Sequence, residues 1–108
     1  MKGTNLGEFE EVVLLTIAAL IEEAYSVAIC DEIERVTDRK VKLGVVHAVL
    51  NRLEKKGFVD SRYDGATPER GGRRKHLFSI TKSGYATLVQ AKEQREFMWK
   101  HIPSISFD

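Results

Sequence analysis

Cationic and amide side chains of the types that bind nucleic acid are concentrated in the middle of this 108-residue chain. Asn51 and Arg52 can pair with base edges or bind phosphate. A second basic group surrounds a pair of glycines at residues 71–72 and comprises Arg70, Arg73, Arg74 and Lys75. Residues 39–75 carry eleven basic and four acidic side chains, a net charge of +7, whereas residues 1–36 carry two basic and eight acidic ones, a net charge of −6. This uneven distribution indicates a surface that faces a polyanion, with a merely solvated basic face as the alternative.

Other residue types argue against catalysis and metal chemistry. Cys30 is the only cysteine, which excludes an intrachain disulfide and a cysteine-based zinc site. The three histidines lack the spacing of metal ligands, and the glycine pair is not followed by the Lys-Ser or Lys-Thr of a phosphate-binding P-loop. The adjacent glutamates at 10–11 and 22–23 do not converge like paired catalytic carboxylates. We therefore expect a protein that is not an enzyme and has no cofactor and no metal.

Hydropathy predicts a cytoplasmic protein with no membrane partner. Hydrophobic residues make up 43% of the chain and charged residues 31%, which is a globular balance. The longest apolar run, residues 12–21, would span about 15 Å as a helix and is too short to cross a bilayer. The first eleven residues hold one lysine and three glutamates, which is not the pattern of a signal peptide.

The spacing of apolar residues predicts four helices and one β-hairpin. The helices are expected over residues 8–23, 27–37, 43–56 and 82–100, with Ser26 and Thr81 as N-caps and Gly57 after the third helix. Two short strands, Phe58–Tyr63 and 77–80, flank a loop over 64–74 that is dense in turn residues. The middle of the first helix is apolar nearly all round, so we expect its second buried side to face another subunit.

The last predicted helix has its apolar residues in two separate groups. Tyr85, Leu88 and Val89 lie in the first half, and residues 97–99 lie in the second, with an almost wholly polar segment between them. We expect the first half to pack on its own domain and the second half on a partner.

This order of elements is that of a winged helix-turn-helix, a mainly α (α+β) fold with a two-stranded wing and a long C-terminal dimerisation helix. Residues 1–80 are expected to form the DNA-binding domain, and residues 81–108 the dimerisation helix and tail. In such proteins the third helix enters the major groove of DNA while the wing reaches the backbone or the minor groove. The DNA-binding residues predicted here are Lys40, Lys42, Gly44, Val45, His47, Ala48, Asn51, Arg52, Arg70, Arg73, Arg74 and Lys75.

Four stretches of the chain resemble the PadR family of winged-helix transcription regulators. Residues 7–15 are similar to the family's opening Gly-x-Leu-Glu and aliphatic run, and residues 24–29 to the start of its second helix. Residues 43–59 resemble its most diagnostic stretch, and residues 71–84 its wing and the start of its last helix. The family usually has tyrosine and proline where this chain has His47 and Ala48, and often a serine or threonine cap where it has Lys42.

The resemblance implies a homodimer whose C-terminal helix contacts the partner, and a repressor that binds palindromic operators in double-stranded DNA. Some relatives bind aromatic or lipophilic effectors near the dimer interface, which implies a possible small-molecule partner. The residues expected at the effector or dimer interface are Phe9, Val13, Phe97, Met98 and Trp99. The alternative function is a winged-helix module that binds protein and not DNA, in which the exposed valine and alanine of the third helix would pack on the partner.

Overall fold

Four α-helices and a two-stranded sheet make up the computed structural model, which describes residues 5–65 and 74–108. Helix α1 spans Glu8–Leu20 and continues into a 3₁₀ turn over Ile21–Glu23, and helix α2 spans Ser26–Thr37. Helix α3 spans Leu43–Lys55 and helix α4 spans Lys82–Lys100. Strands β1 (Val59–Gly65) and β2 (Arg74–Ile80) pair in an antiparallel hairpin between α3 and α4. The predicted mainly α winged helix-turn-helix fold is therefore confirmed.

The hydrophobic core lies where α1, α2 and α3 meet. In α3 the residues at positions 46, 49, 50 and 53 are at most 1% exposed, and this spacing places them along one side of the helix. They pack with Leu14 and Ile17 of α1 and with Ile29 and Ile33 of α2. Full burial of each such aliphatic side chain stabilises the fold by roughly 1.5–3 kcal/mol. Burial of one side of α3 in this way leaves the opposite side facing solvent.

Two predicted helix ends are confirmed, and they hold α3 and α4 together. Gly57 has a φ of +81°, and the N–H of Phe58 donates to the carbonyl of Leu53, which closes the end of α3. The hydroxyl of Thr81 accepts a hydrogen bond from the Gly84 N–H at 2.9 Å and donates one to the Gly57 carbonyl at 2.7 Å. A single threonine thereby caps α4 and fixes its start against the end of α3.

The start of α2 differs from the prediction. Tyr25, and not Ser26, is the N-cap residue, and its carbonyl accepts a hydrogen bond from the N–H of Ile29. Tyr25 has an extended backbone because it forms a β-bridge with Leu77 of the wing. Local capping preferences cannot predict a contact between residues so far apart in sequence.

The hairpin is longer than hydrophobicity alone predicts. Residues 64–65 and 74–76 were expected outside the strands, but the backbone register pairs Asp64 with Lys75 and Gly65 with Arg74. Phe58, which was expected in the first strand, instead lies in the turn that ends α3. Backbone hydrogen bonding extends the hairpin into a polar segment, in which no alternation of apolar residues signals a strand.

Helix α4 makes the molecule elongated. The principal extents are 65 × 31 × 20 Å, and the radius of gyration is 16.8 Å, against about 13 Å for a compact domain of this length. Leu88 and Ala91 are buried, so the first half of α4 packs on its own domain as expected, although Tyr85 is exposed. The second half, which includes residues 97–99, is exposed in the single chain.

Candidate nucleic-acid interface

The outward side of α3 is open to solvent. Gly44, His47, Ala48 and Asn51 are exposed, and Val45 is 49% exposed. A Cβ atom added to Gly44 would meet nothing within 4 Å, so packing inside the chain does not require a glycine there. The predicted orientation of the helix is confirmed, while contact of these residues with DNA stays a prediction.

The beginning of α3 lacks a side-chain cap. Lys42 is the N-cap residue and accepts hydrogen bonds from Val45 and Val46 only through its backbone carbonyl. A lysine ammonium cannot accept hydrogen bonds from the N–H groups of the first turn, which leaves donors and a positive helix end that suit a phosphate. Lys40 and Lys42 are both exposed beside this helix end and add positive charge to it.

Arg52 has a protein partner that the sequence did not reveal. Its side chain is 56% exposed, as expected for a DNA-binding residue, yet its Nε lies 3.4 Å from a carboxylate oxygen of Glu10. The same carboxylate accepts hydrogen bonds from Lys56 Nζ at 2.9 and 3.0 Å and from the Gly7 N–H at 2.7 Å. The one available signal was the Gly7-x-x-Glu10 spacing of a helix N-terminus, in which the glutamate bonds back to the N-cap backbone.

The charge state of Glu10 follows from these partners. Burial alone would raise the pKa of this carboxyl. The hydrogen bonds from Gly7, Lys56 and Arg52, together with the positive charge of Lys56, outweigh burial and hold the pKa below its usual range. Glu10 is therefore ionised at neutral pH although its side chain is only 8% exposed.

An aromatic stack supports one face of the wing. The rings of Tyr63 and His76 are stacked with centroids 4.5 Å apart, and the His76 ring lies 4.6 Å from that of Phe78. Phe78 is buried, and its N–H donates to the carbonyl of Ala24 at 2.8 Å. Ser61 of β1 donates to Glu54 of α3 at 2.7 Å. The base of the wing is thus attached both to the α1–α2 junction and to α3.

The basic residues of the wing are only partly within the described structure. Arg70 and Arg73 lie outside the described residues, and Arg74 is the first residue of β2. Lys75 is exposed, with its Nζ 5.1 Å from the centre of the Tyr25 ring. This cation–π contact is an interaction that sequence reasoning missed, and Lys75 remains accessible to a ligand.

The sequence pattern of the family described as "Transcriptional regulator PadR-like family" matches residues 14–90, which include the helix-turn-helix, the wing and the first half of α4. The chain belongs to this PadR-like family. Its members are transcription regulators and not enzymes, so the expected absence of catalytic function agrees with the family. At the family level, regulation through DNA binding is also the function of this chain.

Solved structures of other regulators share the fold. A PadR-like transcription factor from Bacteroides fragilis has a TM-score of 0.71 and 18% identity, with 85% of this chain and 84% of that chain covered. A PadR-like regulator from Bacillus cereus has a TM-score of 0.69 and 18% identity, with the same coverage. A transcriptional regulator from Clostridium thermocellum has a TM-score of 0.67 and 24% identity over 85% of this chain and 84% of that one. No curated protein sequence matches the chain.

The residues predicted at a partner or effector interface separate into two groups in this PadR-like chain. Phe97, Met98 and Trp99 of α4 are 53%, 63% and 71% exposed. Phe9 is half-buried, with the guanidinium of Arg39 4.9 Å from its ring centre. Val13 is wrongly placed by the prediction, because it is 0% exposed within the core of its own chain and has no surface to offer.

Three further observations restrict the chemistry of the described residues. They contain no cluster of three or more His, Cys, Asp or Glu side chains that could hold a metal ion. Burial, followed by the charge of Asp31, raises the pKa of the half-buried Cys30 thiol, which keeps it protonated and unreactive at neutral pH. No helix in this part of the chain is long and apolar enough to cross a membrane.

Proposed function

We propose that this PadR-like regulator is a sequence-specific repressor that acts as a homodimer on a palindromic operator. The observation that carries the proposal is the two-sided character of α3. One side forms the centre of the core, and the other presents Asn51 and Arg52 on an exposed surface. A helix held in this way can lie in a major groove without loss of core packing.

The predicted DNA-binding residues have distinct roles in the proposed complex. Asn51 pairs with an adenine edge, and Arg52 pairs with a guanine edge or a phosphate. Gly44 and Ala48 are small enough to let the helix backbone approach the bases closely. Lys40, Lys42 and the arginines at 70, 73 and 74 neutralise phosphates, so affinity falls steeply as salt increases.

Large exposed apolar residues support the homodimer. Phe97, Met98 and Trp99 are followed by Ile102, Ile105 and Phe107, which are 47%, 56% and 88% exposed. Apolar surface of this extent on one helix and its tail is typical of an interaction site. A two-fold dimer would place its two recognition helices about 34 Å apart, one turn of DNA, on a palindromic site.

A small aromatic or lipophilic effector is proposed at the same end of α4. Arg95, Met98, Trp99 and Ile102 line an open cleft of about 290 Å³. The exposed indole of Trp99 would stack on a planar ligand, and its position beside the dimer contacts would link ligand binding to the distance between recognition helices. Quenching of Trp99 fluorescence by a panel of aromatic compounds tests this part of the proposal.

Selection from a random pool of DNA duplexes tests the DNA-binding function. We expect the protein to enrich a palindromic sequence and to bind it with a strong dependence on salt. Asn51→Ala should relax selection at one base position in each half-site, since one good pair contributes about 1–3 kcal/mol of discrimination. Lys42→Ala should weaken binding to all sequences and reduce the salt slope by about one.

Lys92→Ala is the matched control, because Lys92 is an exposed lysine on α4 that is not among the predicted DNA-binding residues. It should leave both affinity and salt slope unchanged. Two results together would reject DNA recognition and favour the protein-binding alternative. The first is that the protein enriches no sequence, and the second is that its binding to DNA is unchanged when Asn51→Ala, Arg73→Ala and Arg74→Ala are combined.

A further inference from the structure

Glu10 is a buried carboxylate that connects the start of α1 to the outward side of α3. Its side chain is 8% exposed, whereas that of Glu8, two residues earlier, is 67% exposed. Two of its three partners, Arg52 and Lys56, come from the end of α3, more than 40 residues along the chain. Glu10 thus lies behind a residue of the proposed DNA-binding surface and has no exposed surface of its own to offer DNA.

We propose that Glu10 is a positioning residue for DNA recognition, which orients the guanidinium of Arg52 toward the major groove. The inference rests on the proposed DNA-binding function and adds to it a residue that does not touch DNA. It commits Arg52 to a defined contact with a base edge and not to a mobile contact with the phosphate backbone.

The geometry of the Arg52 contact favours this role. Glu10 engages Nε, which leaves the donors of the two terminal nitrogens available to a ligand. A guanine edge accepts two parallel hydrogen bonds from an arginine, and this requires a fixed guanidinium plane. An arginine that is already oriented loses less conformational entropy on binding than a free one does.

Because Lys56 pairs with Glu10, the negative charge of Glu10 does not neutralise the positive charge of Arg52. Its Nζ lies 2.9 and 3.0 Å from the two carboxylate oxygens, closer than Arg52 Nε at 3.4 Å. Lys56 also donates to the backbone carbonyl of Asn5 at 2.8 Å and is only 27% exposed. Lys56 therefore supplies the main counter-charge of Glu10, and the positive charge of Arg52 remains available to a DNA ligand.

Glu10→Gln is the decisive variant, and Glu8→Gln is its matched control. Both substitutions remove one negative charge from the first turn of α1, but only Glu10 contacts α3. On the duplex selected by the wild-type protein, we expect Glu10→Gln to weaken binding about fivefold, which is less than the loss of a full charged hydrogen bond would cause, because the contact between Arg52 Nε and Glu10 is long at 3.4 Å. Glu8→Gln should change the affinity less than about twofold, since Glu8 pairs with Arg39, which is not among the predicted DNA-binding residues, and its own effect on DNA is screened by salt.

A double-mutant cycle separates positioning from a general structural effect. Arg52→Ala should weaken binding more than Glu10→Gln, and Glu10→Gln should have no further effect once Arg52 is removed. Discrimination between guanine and adenine at the Arg52 position should fall in Glu10→Gln, while affinity for an unselected duplex of the same length stays close to the wild-type value. Affinities are compared under conditions in which circular dichroism shows each variant to be folded.

A measurement on the wild-type protein keeps the inference testable if Glu10→Gln does not fold. In ¹⁵N spectra of the arginine side chains without DNA, the Nε–H of Arg52 should exchange with water more slowly than that of Arg62, whose side chain is exposed. Equal exchange rates would show that the guanidinium is not held and would overturn the inference.

The outcomes distinguish this inference from the function on which it rests. If the wild-type protein selects no sequence, the proposed DNA recognition fails. If it selects a sequence but Glu10→Gln binds that sequence as tightly or more tightly, only the positioning role is wrong, and Glu10 is then a neutral support or a competitor for Arg52. Effects of Glu10→Gln and Arg52→Ala that multiply independently would also overturn the positioning role.

Discussion

Gly84 lies directly against the backbone carbonyl of Phe58, where α4 begins beside the turn that ends α3. A Cβ atom at Gly84 would stand 2.2 Å from that oxygen and 3.0 Å from Ile80 Cγ1. The carbonyl of Phe58 also accepts a hydrogen bond from the N–H of Thr81 at 3.0 Å, so it cannot move away freely. The absence of a side chain at residue 84 therefore lets α4 start directly against the turn that ends α3.

Gly84→Ala should destabilise the fold. The methyl group would collide with backbone and not with a flexible side chain, and overpacking of this kind costs about 1–3 kcal/mol. The free energy of unfolding in urea measures the effect. An unchanged unfolding midpoint would show that α4 can shift away from the α3–β1 turn without cost.

Gly44→Ala also replaces a glycine by alanine, but the added methyl group points into solvent. It should therefore increase the stability of the fold, whereas Gly84→Ala should decrease it. Alanine in a helix is about 0.5–1 kcal/mol more favourable than glycine, and the added Cβ meets no atom of the chain. Its affinity for the selected duplex should nevertheless decrease, because the methyl group lies on the side of α3 that approaches DNA. A variant that is both more stable and tighter-binding would argue that DNA does not come close to residue 44.

The sequence was sufficient for the elements whose stability depends on burial. In α3 the apolar residues recur at helical spacing, and Gly57 marks the end of the helix, so both the helix and its outward side were predictable. The N-cap of α4 was equally clear, since Thr81 acts on a residue only three positions away. Local chemistry and a single buried side are enough in these cases.

Features that depend on distant contacts were not predictable. Glu10 is paired with Arg52 and Lys56 across the fold, and the Gly7-x-x-Glu10 spacing predicts only the local bond to the Gly7 N–H and neither of these distant partners. Val13 lies in the middle of α1, which is almost wholly apolar, so the sequence could not tell which side of this segment faces the core and which faces solvent. Leu15, only two residues later in the same helix, is 50% exposed, whereas Val13 is 0% exposed.

The lowered pKa of Glu10 predicts a loss of stability in acid. The unfolded chain takes up a proton at the ordinary glutamate pKa, about 4.3, whereas the folded chain resists protonation to a lower pH. The contribution of Glu10 to stability is thus fully present above the ordinary pKa, and it is lost as the pH falls through the lowered pKa of the folded state.

Urea unfolding at a series of pH values from neutral to acidic measures this contribution. Glu10→Gln should be less stable than the wild type at neutral pH, and its midpoint should depend less on pH in the acidic range. Glu8→Gln, an exposed change in the same turn, is the control. Parallel acid curves for the wild type and Glu10→Gln would contradict the prediction.

The exposed end of α4 predicts how the oligomeric state responds to substitution. Phe97 and Trp99 lie in the half of α4 that projects beyond its own domain, so their replacement by serine removes apolar surface without opening the core. Phe97→Ser combined with Trp99→Ser should yield a folded monomer in sedimentation experiments, and operator affinity should fall because the two half-sites are then bound independently. Tyr85→Ser removes an aromatic residue that is 60% exposed in the first half of the same helix, and this control should remain dimeric. A wild-type protein that sediments as a monomer at all concentrations, or a double variant that stays dimeric, would place the partner contacts elsewhere on the molecule.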